Sequence, residues 1–173
     1  MASDSASLSE KRSKKRLIGR MPKPAPHVEL DEQWEAEMWR LMGTQFGVNP
    51  LPGCRLLRSG QHRIRLVSLE AYQLMRLIPK PEVAGLYLGE LGPSGIRLSL
   101  DGSQLLGPHA TKQVISLTSG QAEAWLKGET IDVEDRCRGY VIVRHQSDIL
   151  GCGSLSGGRL HNFLPKDRRP QKQ

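Results

Sequence analysis

The segment RGYVIVRHQSDILGCGSLSGGRLHNFLPKDRR, residues 138–169, decides the fold of this chain. Two runs of β-branched and apolar residues flank HQSD, which predicts an antiparallel hairpin, because such residues favour strands and polar residues favour turns. Glycines at 151, 153, 157 and 158 follow, where the backbone must bend or approach another backbone closely. The segment ends on a run of cations. We therefore expect a β-rich body with positive charge at its carboxyl end.

Upstream of this hairpin, the pattern alternates between short strands and short helices. CRLLRSGQHRIRLVS predicts two strands around a Ser-Gly turn, and AGLYLGEL with GIRLSLDG predicts a second pair around GPSG. Ser68 is placed to cap a helix in LEAYQLMRLI, and Thr118 with Gln121 forms a capping box for SGQAEAWLKG. DGSQLLGPHATKQVISL predicts a short helical turn that leads into a strand. These elements predict an α+β fold, a small mixed β-barrel with two or three short helices.

The N-terminal part has a different composition. The first zone is rich in Ser, Lys and Pro and has almost no large apolar side chains, so burial cannot offset the entropy of ordering it. A helix is predicted next, with Asp31 as its N-cap and Gly47 past its end. Its apolar face, expected to pack into the core, consists of Trp34, Met38, Leu41 and Met42. The expected organisation is a disordered basic tail at 1–26, the N-terminal helix at 27–49, the barrel domain at 50–169 and a tail at 170–173.

The net charge of +7 is concentrated at the two ends of the chain. Residues 1–25 carry seven Lys or Arg against two Asp or Glu, and residues 159–173 carry five against one. Between them, 13 basic residues face 15 acidic ones. Basic ends fit a polyanion partner, because neutralising phosphates releases condensed counterions. For the N-terminal run KRSKKR, a solvated tail and contact with RNA stay equally open.

No motif in the sequence indicates catalysis or metal binding. The phosphate-loop, zinc-protease and nucleophile-elbow motifs are absent from it. Three cysteines without a C-x-x-C pair favour buried free thiols, and the only nucleophile left open is Cys152 beside His145 across the hairpin. We expect no cofactor and no metal. No apolar run is long enough to span a bilayer, so we expect a cytoplasmic protein without membrane contact.

Three stretches in order, GLYLGEL, ISLTSGQAEAWLKGETIDV and GYVIVRHQSDILGCGSLSGGRLHNFLPKDRR, carry a family resemblance. The chain resembles, over roughly residues 50 to 169, the C-terminal PUA-like RNA-binding domain of the NOL1/NOP2/Sun family of RNA cytosine-5 methyltransferases. The positions that match the closing pattern of that domain are Leu150, Gly151, Gly153, Gly158, Arg159, Asn162, Pro165, Lys166 and Arg169.

The departure from that family concerns catalysis. The family's enzymes carry a domain that binds S-adenosylmethionine ahead of this module, whereas only 50 residues precede LPGC here and they lack the Pro-Cys and Thr-Cys motifs. The resemblance therefore implies an RNA-binding module without the methyltransferase domain, which is not an enzyme.

The candidate RNA contacts lie mainly at the carboxyl end. The cations beside the predicted bend, which can pair with phosphate oxygens, are Arg159, His161, Lys166, Arg168 and Arg169, and the bend itself is formed by Gly157 and Gly158. Two roles stay open for Asn162: capping the backbone, which is favoured, and reading a base edge.

A second set of candidates lies in the first half of the chain. Arg63 and Arg65 alternate with apolar residues and should share one sheet face. The resemblance to PUA domains implies that the helix near 69–77 and the glycine-bearing turn after it border the RNA groove. This implication adds Arg76, Lys80, Gly85 and Tyr87 to the candidates.

The expected function is non-catalytic recognition of structured RNA, either rRNA or tRNA, linked to RNA modification or ribosome biogenesis. With eight aromatic residues, the chain offers no broad stacking platform, so recognition by shape and phosphate is favoured. The alternative is a protein-interaction subunit that supplies an RNA-binding module to a separate methyltransferase, or to a ribosomal protein, through the N-terminal helix.

Overall fold

The computed structural model describes residues 28–29, 31–78 and 85–166. Its helices are α1 (Glu32–Phe46), α2 (Leu69–Met75), α3 (Leu100–Leu106) and α4 (Ser119–Leu126). Its strands are β1 (Val28–Glu29), β2 (Cys54–Ser59), β3 (Arg63–Ser68), β4 (Leu86–Gly92), β5 (Gly95–Leu98), β6 (Val114–Ser116), β7 (Ile131–Asp132), β8 (Gly139–His145), β9 (Asp148–Ser156) and β10 (Arg159–Asn162). The predicted tails at 1–26 and 170–173 lie outside the described residues.

The strands form two sheets of five. The N-terminal sheet has the order β1-β2-β3-β4-β5 and is antiparallel throughout. The C-terminal sheet has the order β6-β8-β9-β10-β7, in which β6 pairs with β8 in parallel and the other pairs are antiparallel. One sheet curls into a half-barrel, and the predicted α+β fold with short helices is confirmed.

Helix α1 begins and ends as its sequence predicts. The Asp31 carboxylate accepts the Trp34 N–H at 3.0 Å, and Gly47 ends the helix in the left-handed conformation. Inside the helix, the buried Glu35 carboxylate accepts the backbone N–H of Leu56 at 2.8 Å and the Arg55 Nε–H at 2.9 Å. These bonds compensate the burial of the carboxylate and fix the helix to β2.

The apolar face of α1 forms part of the protein's own core. Met38, Met42 and Phe46 are buried in one cluster with residues of both sheets, and Trp34 and Leu41 pack against that cluster. The prediction that this face packs into the core is confirmed. The apolar face of α1 is therefore covered by this chain itself, and docking of a separate protein through the rest of the helix stays a prediction.

A second cluster lies on the other face of the C-terminal sheet. It surrounds the fully buried Trp125 of α4 and includes Val141, Val143 and Leu160. The predicted capping box of α4 is present, with Thr118 and Gln121 each bonding the backbone of the other. Since α4 packs on one face of this sheet and the main core lies on the other, a ligand can reach the sheet at its margins.

One element differs from its prediction. Strand GIRL ends at Leu98, because the Ser99 hydroxyl accepts the Gly102 N–H at 2.8 Å and starts α3. The strand predicted to run to Gly102 is therefore shorter, and the predicted helical turn is a seven-residue helix. Within the described residues, no helix has the length and apolar character needed to cross a bilayer.

Candidate nucleic-acid interface

A tight hairpin joins β9 to β10. Gly157 and Gly158 are its two central residues, with φ of +57° and +78°, and a two-residue turn with positive φ at both positions strongly favours glycine. A Cβ on Gly157 would meet nothing within 4 Å, so backbone conformation alone demands glycine there. The turn sets the register that places Arg159 opposite Ser156 and His161 opposite Ser154.

These four residues share one face of the C-terminal sheet, since residues directly opposite one another, and residues two apart, point the same way. We call Ser154, Ser156, Arg159 and His161 the polar strip. Leu160 lies between Arg159 and His161 and is fully buried on the opposite face. The Arg159 side chain is 67% exposed, and its Nε lies 3.7 Å from a carboxylate oxygen of Asp132, whose side chain is 88% exposed. Such an exposed pair is weak, so the guanidinium can exchange this carboxylate for a phosphate.

An open polar groove of about 610 Å³ lies beside the strip. Ser156 and Gly157 form one side of it, Asp135 and Arg138 come from the loop between β7 and β8, and Ser94 comes from the turn between β4 and β5. Asp135 accepts the backbone N–H of Cys137 at 2.8 Å, and this bond lowers the pKa of its carboxyl. The groove therefore presents hydroxyls and an arginine, together with one carboxylate that is already bonded.

Asn162 is the last residue of β10, and both the nitrogen and the oxygen of its side-chain amide form hydrogen bonds with the backbone. Its Nδ2 donates to the carbonyl of Trp125 at 2.5 Å, and its Oδ1 accepts the backbone N–H of Leu164 at 2.6 Å. These bonds support the backbone-capping role that the sequence favoured. They also fix the direction in which the chain leaves the sheet.

A second pocket, also open to solvent and of about 280 Å³, lies where that segment meets the N-terminal sheet. Phe163 and Pro165 line it from the C-terminal side, Tyr87 and Arg97 from β4 and β5, and Asp101 from α3. We call this space the Phe163 cavity. Tyr87, a predicted contact, is thus brought beside the C-terminal motif, and Lys166 follows Pro165 directly along the chain and is exposed.

Ionic and aromatic contacts hold the walls of the Phe163 cavity. The Arg97 guanidinium lies 5.2 Å from the centroid of the Phe163 ring and bonds Glu90 at 2.6 Å. The Tyr87 hydroxyl donates to the other Glu90 oxygen at 3.1 Å. The bond from Arg97 lowers the pKa of Glu90, while burial raises the pKa of Tyr87, so the carboxylate stays charged and the phenol stays a donor.

The other predicted contacts form a row on the N-terminal sheet. Arg63 lies opposite Glu90, which in turn lies opposite Arg97, so these side chains share one face. Arg65 lies opposite Tyr87, and its Nη1 donates to the carbonyl of Gly85 at 2.7 Å. The row alternates in charge and is therefore not purely basic.

One further candidate lies on the described part of the N-terminal half, at the end of α2. Arg76 caps the carboxyl end of α2 and is exposed. Lys80, Arg168 and Arg169 lie outside the described residues.

Arg97 and Phe163 were not among the sequence candidates. Phe163 directly follows β10 and lies two residues after His161, so the spacing of Arg159, His161 and Phe163 was an available signal for this ring. No such sequence signal was available for Arg97, because its contact with Phe163 joins residues far apart in the chain.

The thiol nucleophile left open by the sequence is not formed. Cys152 lies opposite Ile142, whereas His145 lies opposite Asp148 near the far end of the hairpin, and its Nδ1 is 2.9 Å from the Leu117 carbonyl. Burial raises the pKa of Cys152 to about 11, which disfavours the thiolate. The described part of the chain also holds no cluster of three or more side chains suited to a metal ion.

The segment that contains the polar strip is similar to a known protein family. Residues 112–170 match the methyltransferase RsmF PUA domain. The recognition made from the sequence is confirmed for this segment, although the family match starts later than the predicted residue 50. It includes α4, the glycine hairpin and the chain to residue 170, and it excludes α2 and Tyr87, whose role stays a prediction.

Three curated relatives match over a similar part. The protein from Aeromonas salmonicida is 33% identical over 84 residues, that from Aeromonas hydrophila is 33% identical over 84 residues and that from Vibrio cholerae is 29% identical over 84 residues. Each is called ribosomal RNA small subunit methyltransferase F. The match covers 48% of this chain and 18% of each relative, so the chain is similar to a minor part of those proteins.

Proposed function

We propose that this chain is a non-catalytic module that binds structured RNA through the polar strip and the groove beside it. The observation that supports the proposal most is the match to the RsmF PUA domain over residues 112–170, which contain the strip. The RNA proposed first is ribosomal RNA, because the similar proteins are named for small-subunit rRNA; tRNA is the second choice. We further propose that this protein is cytoplasmic and acts in RNA modification or ribosome biogenesis.

The chemistry of the strip supports contact with the RNA backbone. Arg159 can offer paired N–H groups to phosphate oxygens, and the hydroxyls of Ser154 and Ser156 can donate to the same atoms. Lys166 adds a cation further along the chain. Ser154, Ser156 and Arg159 share one face through the strand register, so a phosphodiester chain along β10 would meet these three side chains together. Lys166 lies four residues after the end of β10.

The test is the affinity of the intact chain for a fluorescein-labelled fragment of small-subunit rRNA, measured by anisotropy at several salt concentrations. Removing one cation that binds a phosphate should lower affinity about four- to fivefold at about 0.15 M salt, because each such cation releases about 0.7 to 0.9 counterion. The double variant Arg159→Ala/Lys166→Ala should therefore bind about 15- to 30-fold more weakly and show a smaller salt dependence.

The matched control is Arg40→Ala/Arg144→Ala. This variant removes the same amount of charge, from α1 and from the end of β8 opposite the glycine hairpin. Affinity close to that of the unmodified chain is expected. Equal losses of affinity in both double variants would mean that net charge, and not the strip, governs binding.

A second candidate function is supported by the exposed apolar surface after β3. Leu74, Leu77 and Ile78 are 59%, 79% and 51% exposed, and exposed apolar side chains that lie together mark protein interfaces. In this version, the module docks through α2 on a separate RNA methyltransferase or a ribosomal protein. Association with a purified candidate partner should survive nuclease treatment, fail in Leu74→Ser/Leu77→Ser and persist in Arg159→Ala.

A further inference from the structure

We propose that the Phe163 cavity accepts one unpaired base of the bound RNA, an inference that rests on the proposed function. The volume of about 280 Å³ is near the lower end of the range for small-molecule sites, roughly 300–1,000 Å³. A single base is a ligand of suitable size, whereas a folded RNA segment is too large. Base-paired RNA would therefore pass over the cavity without entering it.

The walls suit a flat, neutral ring system. Phe163, 38% exposed, and the half-buried Tyr87 provide aromatic surface, and the Arg97 guanidinium adds a planar cation beside the phenyl ring. Bases stack on such groups whatever their sequence, because every base has a π-face.

The charges favour a base over a phosphate. The positive charge of Arg97 is already paired with Glu90 at 2.6 Å. Asp101 brings a further carboxylate to the cavity wall, and this side chain has no hydrogen-bond partner within the described part of the chain. A carboxylate repels phosphate but accepts hydrogen bonds from N–H groups, which every base presents on its pairing edge when unpaired.

The cavity also continues the polar strip. Phe163 directly follows β10 and lies four residues after Arg159, and four steps of extended chain span about 13 Å. The Asn162 hydrogen bonds hold this segment in place. An RNA backbone fixed at Arg159 would thus bring a nearby unpaired base to the cavity.

The experiment compares three versions of one RNA hairpin: fully paired, with a single-base bulge and with the bulge made abasic. The intact chain should bind the bulged hairpin about fivefold or more tightly than the paired one, the smallest effect expected from stacking on one aromatic group. The abasic hairpin should bind no better than the paired one. Phe163→Leu, which keeps apolar volume but removes the ring, should abolish the preference and leave affinity for paired RNA unchanged.

The outcomes separate this inference from the function on which it rests. Equal affinity of the unmodified chain for all three hairpins overturns the base-binding site and leaves RNA binding by the strip intact. A failure to bind any hairpin overturns both. A bulge preference that the abasic RNA retains also overturns the inference, because flexibility of the RNA, and not the base, would then cause it.

Should Phe163→Leu prove unstable, a 2-aminopurine bulge tests the same point with the unmodified chain. The fluorescence of the base should fall on binding if it stacks in the cavity. Unchanged fluorescence at saturation contradicts the inference.

Discussion

Asn162→Ala should destabilise the fold although the residue lies at the margin of the sheet. The substitution removes the 2.5 Å bond to the Trp125 carbonyl and the 2.6 Å bond from the Leu164 N–H. Both partners are partly buried, and a group left unpaired in such a place costs about 1–3 kcal/mol. We therefore expect the free energy of unfolding to fall by about 2–4 kcal/mol, which for a chain of this size lowers Tm by about 4–16 °C.

Urea and thermal unfolding followed by tryptophan fluorescence measure this change. His161→Ala is the control, because that neighbouring side chain is exposed and its removal should change stability by less than about 0.5 kcal/mol. Asn162→Asp should give an intermediate effect, since it keeps the acceptor for the Leu164 N–H but not the donor to the Trp125 carbonyl. If Asn162→Ala is as stable as His161→Ala, the amide has no structural role and the base-reading role gains support.

Three further changes probe packing, thiol chemistry and pH. Gly153→Ala should cost about 1–3 kcal/mol in urea unfolding, because its Cβ would lie 2.7 Å from Cη2 of Trp125 and 2.9 Å from the carbonyl oxygen of His161; an unchanged midpoint would contradict this close packing. Cys152, with its pKa raised to about 11 by burial, should react with iodoacetamide at pH 7.5 only as fast as the chain unfolds, and rapid labelling would refute this burial. The bond from Arg97 lowers the pKa of Glu90 in the folded chain. The charged carboxylate should therefore stabilise the fold at pH values above the unfolded pKa of about 4.3, and this contribution should be lost as the pH falls through the folded pKa. The difference in unfolding free energy between the unmodified chain and Glu90→Gln should thus shrink as the pH falls below about 4.3, and a constant difference would exclude the linkage.

Local features were predictable because local residues determine them. The caps at Asp31, Ser68 and Thr118 each depend on a hydroxyl or carboxylate that reaches an N–H three residues later, and all three bonds are present. The β8–β9 hairpin follows from two apolar runs and a polar turn. Such patterns need no knowledge of distant parts of the chain.

Helix α3 was predicted too short because two signals compete in the same stretch. GIRLSL alternates as a strand does, yet Ser99 is also an N-cap. Packing decides between them: Gly102 is buried, and a Cβ on it would overlap the carbonyl of Leu88, so the helix is seated directly on β4. This close approach of α3 to β4 depends on tertiary structure and is not predictable from the local sequence pattern.

The candidate site was predictable only in its C-terminal half. Alternation and the glycine turn place Arg159 and His161 on one face, and the structure has them there. The Phe163 cavity forms because β5 lies beside the segment that follows β10. The local sequence around Arg97 and around Glu90 does not predict this contact. Contacts of this kind become visible only once both sheets are placed.

The amide NMR spectrum of the ¹⁵N-labelled chain, recorded with and without the small-subunit rRNA fragment, tests the central claim most directly. RNA bound along the strip should shift the amides of residues 154–166 and of the loop at 135–139 most, with the largest changes at the glycine hairpin. If instead the shifts concentrate on α1 and on the turn at 146–147, at the opposite end of β9, while residues 154–166 stay unchanged, the RNA binds elsewhere and the proposed interface is wrong.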